Sequence, residues 1–166
     1  MKRSETVKIT SIRFHPDGLI MAIGLANGKI MIYDVRDMVM AQELEGPTPS
    51  SAVSQLEFSN KGIFLAASWT GSSSCRVYSL HKGFACNELT QEGMPVTAIS
   101  FDLYGGFLAV GTEQNMIVSS YKNWKKILTT LRPHTTGVSA IRFDASGRKM
   151  FVSSQANGEV KTLSLA

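Results

Sequence analysis

Short runs of apolar residues, separated by Gly, Asn, Asp and Pro, make up most of the chain. Within these runs apolar side chains either alternate with polar ones or fill four or five consecutive positions, as in Leu19–Ile23. Alternation with a period of two is typical of half-buried strands, and a short continuous run is typical of strands buried on both faces. No stretch keeps the i, i+3, i+4, i+7 spacing of an amphipathic helix for long. The pattern therefore predicts an all-β protein.

One phrase recurs four times: an apolar residue, any residue, Phe, a short polar turn, Gly, and a second apolar run. Its Phe residues are Phe14, Phe58, Phe101 and Phe143, which lie 44, 43 and 42 positions apart, and a Gly stands four positions after each. A repeat of about 40–45 residues is the signature of the four-stranded blades of WD40-type β-propellers. We therefore predict one WD40 repeat domain over residues 1–166. Its repeats span approximately 8–46, 52–90, 95–131 and 137–165.

Each repeat supplies strands a, b and c in the same order, and the first three repeats add a strand d. Strand a ends at the repeated Phe, and strand b is the apolar run after the Gly. Strand c follows a tight turn. The pairs Asn27-Gly28 and Asn157-Gly158 predict type I′ turns, in which both central residues have positive φ. Because the chain stops soon after Leu163, we expect the fourth blade to lack strand d.

The repeats also indicate how the blades pack. Eight positions after the first three Phe residues stand Ala22, Ala66 and Ala109, small side chains that suit the taper where neighbouring sheets converge, whereas Phe151 breaks the series. Four such blades should not close into a ring alone, and open sheet edges invite pairing with other chains. We therefore expect an incomplete arc, either a piece of a longer protein or an assembly that another chain completes.

Several segments go beyond the general blade pattern. They are Phe14–Ile20, Lys82–Phe84, Phe101–Gly111 and Lys122–Leu128. In this order and spacing they resemble the C-terminal propeller of the pre-mRNA-processing factor nineteen family, the spliceosomal ubiquitin ligases, over about residues 7 to 165. The resemblance implies the last four blades of a seven-bladed ring.

The same resemblance implies a function. The chain would be a protein-interaction scaffold, the partner- and substrate-recognition end of a splicing-associated ubiquitin ligase, binding proteins of a spliceosomal or other nuclear complex. We expect a soluble, intracellular protein with a nuclear location. The family's U-box and coiled coil have no counterpart here, so we expect the chain itself to be no enzyme. The alternative is a WD40 adaptor of an unrelated assembly in vesicle traffic or chromatin, since such proteins share the blade pattern.

The net charge and the motifs of the sequence limit the kinds of ligand and reaction that we expect. The net charge is +4, but the basic residues are scattered, and the densest cluster, around Trp124, predicts a solvated strand edge rather than a nucleic-acid site. No phosphate loop, nucleophile elbow or zinc motif is present, and no apolar run is long enough to span a bilayer. Cys75 and Cys86 are interpreted as free thiols. We therefore expect no catalytic residue, cofactor, metal, small-molecule substrate, membrane contact or direct nucleic-acid contact.

Three residues are candidates for partner binding. Trp69, at the end of strand b in the second repeat, is the best candidate for an exposed aromatic side chain, and Arg76 lies across the same turn. Trp124 is the third candidate. Aromatic residues and Arg dominate the hot spots of protein interfaces. Each Trp also has a structural alternative: Trp69 packs on the neighbouring blade, and Trp124 plugs the end of a strand.

Overall fold

A computed structural model describes residues 7–47, 51–90, 93–124, 126–131, 133–134 and 137–165. This part of the chain forms three four-stranded sheets and one three-stranded sheet, each an antiparallel meander of consecutive strands. The predicted all-β architecture of four blades is confirmed, and the described part of the fourth blade has three strands, as expected. That the blades form one domain, and an arc of a seven-bladed ring, stays a prediction.

Each blade follows the predicted order of strands. Blade 1 consists of β1 (Ile9–Phe14), β2 (Ile20–Leu25), β3 (Ile30–Asp34) and β4 (Val39–Leu44). Blade 2 consists of β5 (Val53–Phe58), β6 (Phe64–Trp69), β7 (Ser74–Ser79) and β8 (Ala85–Thr90), with a short 3-10 helix, Leu80–Lys82, before β8. Blade 3 consists of β9 (Val96–Phe101), β10 (Phe107–Thr112), β11 (Asn115–Ser120) and β12 (Lys126–Leu131). Blade 4 consists of β13 (Val138–Phe143), β14 (Lys149–Ser154) and β15 (Val160–Ser164).

The turns between strands a and b are built alike in all four blades. The backbone N–H of the repeated Gly donates to the carbonyl three residues earlier, at 2.8–3.1 Å. These glycines have φ between +67° and +74°, the left-handed region that disfavours side chains bearing a Cβ. The repeated spacing from Phe to Gly is therefore the spacing needed to end strand a and reverse the chain.

The type I′ prediction for the turns before strand c is wrong. Gly28 has φ +89° and Gly158 has φ +65°, but neither preceding Asn has a positive φ. Instead, the Asn27 side-chain oxygen accepts a hydrogen bond from the Lys29 N–H at 3.2 Å, and Asn157 bonds the N–H two residues on in the same way. Asn therefore acts here through its side chain, which mimics a backbone turn, and only Gly takes the left-handed conformation.

The blades pack face to face around three hydrophobic cores. We call the face of a blade that meets the next blade its front, and the opposite face its back. Ala22, Ala66 and Ala109 lie on the front faces and are completely buried in the first, second and third core, which confirms their predicted place where neighbouring sheets converge. The back face that meets each of them carries the repeated Phe of the next blade. Small side chains on one face thus let the bulkier face opposite approach closely.

The two ends of the arc lack a neighbouring blade among the described residues. On the back of blade 1, Ile12 and Phe14 are 44% and 59% exposed, although their counterparts in blades 2 and 3 are buried. On the front of blade 4, Phe151 and Val160 are exposed at positions that are buried in the other blades. Apolar exposure at these two faces is therefore a consequence of the open arc. Within the described residues, no helix has the length and hydropathy needed to cross a membrane.

Candidate functional site

Trp69 is buried, so the prediction of an exposed aromatic side chain at this position is wrong. Its side chain has no exposed surface, and its indole Nε1 donates a 2.7 Å hydrogen bond to the carbonyl of Gly28 in blade 1. The residue pairs with Val53 on the back face of blade 2, which packs on blade 1. A buried indole needs a partner for its N–H, and the neighbouring blade supplies it. The alternative, packing on the neighbouring blade, is the one observed.

Arg76 joins the same contact between blades 1 and 2. Its guanidinium donates to the carbonyl of Glu45 at 2.9 Å and lies 6.0 Å from the centre of the Trp69 rings. The hydroxyl of Tyr78 donates to the same carbonyl at 3.2 Å. Burial raises the pKa of Tyr78 to about 12, so the hydroxyl keeps its proton and remains a donor. These bonds make Arg76 a clamp between blades, and a role in partner binding stays a prediction.

Trp124 is half-buried and lies at the junction of blades 2 and 3. Its ring meets Phe64 edge to face, with 5.1 Å between centroids, and Phe64 also contacts the Tyr121 ring at 6.2 Å. Trp124 has φ +54°, a left-handed conformation that costs about 1–2 kcal/mol for a residue with a Cβ. Packing against Phe64 offsets this cost. We call Phe64, Tyr121 and Trp124 the aromatic cluster.

The exposed large apolar residues of the described chain fall into three groups. The first occupies the two end faces of the arc. The second follows the outer side of blade 1, at Leu19 and at 38–40. The third comprises Tyr121 of the aromatic cluster together with Leu103 and Tyr104, at 42%, 42% and 58% exposure. The third group lies where two blades are packed together, so the open arc does not explain it.

A small cavity of about 70 Å³ is lined by Tyr104 and Tyr121 of the third group. Phe64, Tyr104 and Tyr121 form its aromatic walls, and Lys61 stands at its rim. Lys122, which follows Tyr121 in the chain, is also exposed. We call these five residues together with Trp124 the aromatic–lysine surface. Both of its lysines are in the described part of the chain and carry their charge into solvent.

Two of the aromatic walls, Phe64 and Tyr104, are anchored by equivalent residues of the turns between strands a and b in blades 2 and 3. In blade 3, the Asp102 carboxylate accepts hydrogen bonds from the backbone N–H of Phe107 at 2.7 Å and of Tyr104 at 3.2 Å. In blade 2, the Ser59 hydroxyl accepts from the N–H of Phe64 at 3.0 Å. Asp102 and Ser59 are themselves buried. The backbone that carries Phe64 and Tyr104 is therefore held in place before any partner arrives, which lowers the entropy lost on binding.

Of the three predicted residues, only Trp124 belongs to this surface, whereas Phe64, Tyr104 and Tyr121 were not predicted. A signal for two of them was available in the sequence. Tyr104 stands three positions after the repeated Phe, where the other turns between strands a and b have Asp17, Lys61 and Ser146, and Tyr121 directly follows a strand c. Large aromatic side chains at turn positions are candidates for contacts outside the core.

A second cavity of about 380 Å³ lies along strand a of the four blades, with Arg13, Glu57 and Arg142 among its walls. Gln55 and Glu57 bond the backbone of β9: the N–H of Ile99 donates to Gln55 at 3.0 Å, and the N–H of Phe101 donates to Glu57 at 2.9 Å. Burial raises the pKa of the Glu57 carboxyl, and the bond from Phe101 and the charges of Arg142 and Arg13 oppose that rise. These contacts join strands a of the adjacent blades 2 and 3, so we assign them to the scaffold.

The chain is similar to known propeller proteins along most of its length. The family model described as nucleolar protein 10-like, N-terminal domain, a β-propeller, matches residues 1–121, and the WD domain G-beta repeat matches residues 125–161. Pre-mRNA-processing factor 19 of Caenorhabditis elegans is 32% identical over 87% of this chain and 28% of that protein. The protein of the same name from Dictyostelium discoideum is 28% identical over 75% of this chain and 24% of its own length.

These matches confirm the predicted resemblance to the WD40 region of the pre-mRNA-processing factor 19 proteins. The chain spans about a quarter of the length of these curated relatives. A chain of the solved structure described as Crystal Structure of Mitotic Checkpoint Complex has a TM-score of 0.79 at 17% identity, covering 97% of this chain and 52% of that one. At this identity the likeness shows the fold alone, which is that of a WD40-type propeller.

Proposed function

The chain belongs to the β-propeller family of the nucleolar protein 10-like N-terminal domain, and on this premise we propose that it is a WD40 protein-interaction scaffold of a pre-mRNA-processing assembly. Its role is to hold protein partners rather than to catalyse a reaction. The names of the relatives point to pre-mRNA processing. We further propose that it is the partner- and substrate-recognition end of a splicing-associated ubiquitin ligase, and that it works in the nucleus.

One observation carries the binding role: the aromatic–lysine surface is exposed although it lies at a packed junction between blades. Tyr104 and Tyr121 present large, rigid side chains there at 58% and 42% exposure. Tyr and Trp are the side chains most enriched in interface hot spots, because they offer much contact area for little lost entropy. Asp102 accepts a hydrogen bond from the backbone N–H of Tyr104, and Ser59 accepts one from the backbone N–H of Phe64 in the neighbouring turn. The surface therefore has the composition and rigidity of a protein-binding site.

A second candidate function has its own support. The family model that matches residues 1–121 is described as nucleolar, so a scaffold role in a nucleolar assembly is the alternative. Both functions place the chain in the nucleus, and both use it as a binding scaffold. They differ in the proteins that would be found attached to it.

The two functions are separated by capture of the epitope-tagged chain from nuclear extract after nuclease treatment, followed by mass spectrometry. We expect proteins of pre-mRNA processing to be enriched about tenfold or more over a tag-only control, as for interfaces of ordinary affinity. Enrichment of nucleolar proteins in their place would overturn the first function in favour of the second. Recovery of neither class would contradict both.

A further inference from the structure

The cavity in the aromatic–lysine surface is too small for an ordinary small-molecule ligand. Its volume is about 70 Å³. Small-molecule sites typically occupy about 300–1,000 Å³ and enclose most of the ligand. A space of this size between aromatic walls instead fits one apolar side chain of a larger partner. Size therefore favours a peptide that inserts a single anchor residue.

The walls of the cavity favour an apolar anchor. Phe64 and the exposed rings of Tyr104 and Tyr121 face it. Aromatic walls receive an aliphatic side chain or a proline ring well, because contact removes apolar surface from water on both sides. Trp124 packs behind Phe64 and supports that wall.

The charges around the cavity favour an acidic partner. Lys61 stands at its rim, and exposed Lys122 follows Tyr121. Exposed Lys82 lies in the short helix Leu80–Lys82, and the N–H of Leu80 donates to the carbonyl of Ile63, which lines the cavity, at 2.9 Å. The acidic residue of the blade 3 turn, Asp102, is buried and bonds two backbone N–H groups, so its carboxylate does not face a partner.

From the size, the walls and the charges, we propose that the aromatic–lysine surface binds an acidic peptide segment of a partner protein and takes one apolar side chain of that segment into the cavity. This inference rests on the proposed function, since it names the kind of partner held at the same surface. Single-stranded RNA is a different class of partner, because a site for it combines several stacking platforms with a basic groove that follows the backbone. The small cavity, Lys61 in its lining and exposed Lys122 next to Tyr121 in the chain favour the peptide.

The test uses the full chain and a fluorescein-labelled peptide of Glu and Asp with one central Leu, measured by fluorescence anisotropy. Three further probes are the same peptide with Lys in place of the acidic residues, the same peptide with Gly in place of Leu, and oligo-uridine RNA. We expect the acidic peptide with Leu to bind about tenfold more tightly than the two altered peptides, in line with a hot-spot anchor and complementary charge.

Amino-acid substitutions test whether the peptide binds at the aromatic–lysine surface. Charge reversal at the two lysines, Lys61→Glu with Lys122→Glu, should weaken the acidic peptide about tenfold. The matched control Lys149→Glu, at an exposed position of blade 4, should leave it unchanged. The inference would be overturned if Lys149→Glu weakened binding of the acidic peptide as much as the double variant did. It would also be overturned if oligo-uridine bound more tightly than the acidic peptide, or if neither probe bound. The capture experiment reports separately on the proposed function, because its enrichment does not depend on the chemistry of this probe.

Discussion

Replacement of Trp69 by Ala is expected to lower the free energy of unfolding by about 3–5 kcal/mol, the range for truncating a large buried aromatic side chain. Trp69 has no exposed surface and lies in the core between blades 1 and 2. Its removal would leave a cavity and free the carbonyl of Gly28. The loss is measured by urea unfolding followed by circular dichroism.

Two further variants separate the causes of this loss. Trp69→Phe keeps an aromatic ring but loses the indole N–H, so it should cost about 1–3 kcal/mol through the unpaired carbonyl of Gly28 and altered packing. Trp124→Ala removes a half-buried side chain and should cost less than Trp69→Ala. If Trp124→Ala were as destabilising as Trp69→Ala, the assignment of Trp69 to the core between blades would be contradicted.

Replacement of Gly62 by Ala is expected to lower the free energy of unfolding by about 2–5 kcal/mol. Gly62 has φ +68°, and a Cβ at this position would overlap the imidazole of His15 in blade 1. His15 Nε2 donates to the carbonyl of Gly62 at 2.9 Å, so moving the ring away would break a bond between the blades. A left-handed residue with a Cβ costs about 1–2 kcal/mol, and crowding in a packed region costs about 1–3 kcal/mol.

Gly18 is the matched control. It occupies the equivalent turn of blade 1 with φ +74°, but a Cβ there would meet no atom within 4 Å. Gly18→Ala should therefore lower the free energy of unfolding only through the strain of a left-handed residue with a Cβ, about 1–2 kcal/mol. The extra loss at Gly62 should shrink when His15→Ala is added, since the overlap then disappears. Equal losses for Gly18→Ala and Gly62→Ala would show that His15 does not hold the two turns together.

The sequence predicted the blades because their determinants are local. Phe, Gly and the Ala series recur at fixed spacings, and each reports a constraint within one repeat: the end of strand a, the left-handed turn, or the taper between sheets. Ala22, Ala66 and Ala109 are all completely buried, whereas Phe151 is exposed on the front face of the last blade. The break in the series thus falls where the described arc ends.

The sequence did not identify the hydrogen-bond partners that join one blade to the next. Trp69 is buried against blade 1, where its indole N–H bonds the carbonyl of Gly28, 41 residues away in the chain. No local sequence pattern identifies that partner. The prediction of type I′ turns at Asn27 and Asn157 was wrong for a different reason. Asn-Gly is compatible with a type I′ turn and also with a turn in which the Asn side chain bonds the backbone, and the structure has the second.

The aromatic–lysine surface was missed for a related reason. Phe64 comes from blade 2, whereas Tyr104, Tyr121 and Trp124 come from blade 3. Their meeting depends on how two sheets stack and on the direction in which the turns project. Trp124 could be selected from its type and neighbours, but its contact with Phe64, which makes it part of a cluster, is a property of the assembled blades.

The central claim is that the chain holds protein partners through the aromatic–lysine surface. It is tested most directly by comparing capture from nuclear extract between the double variant Tyr104→Ala/Tyr121→Ala and the control Leu19→Ala, a 45% exposed apolar residue of blade 1. Circular dichroism first verifies that both variants are folded. We expect the double variant to lose about tenfold or more of the captured partner, as for hot-spot residues, while the control retains it. Equal capture by both variants would contradict the account.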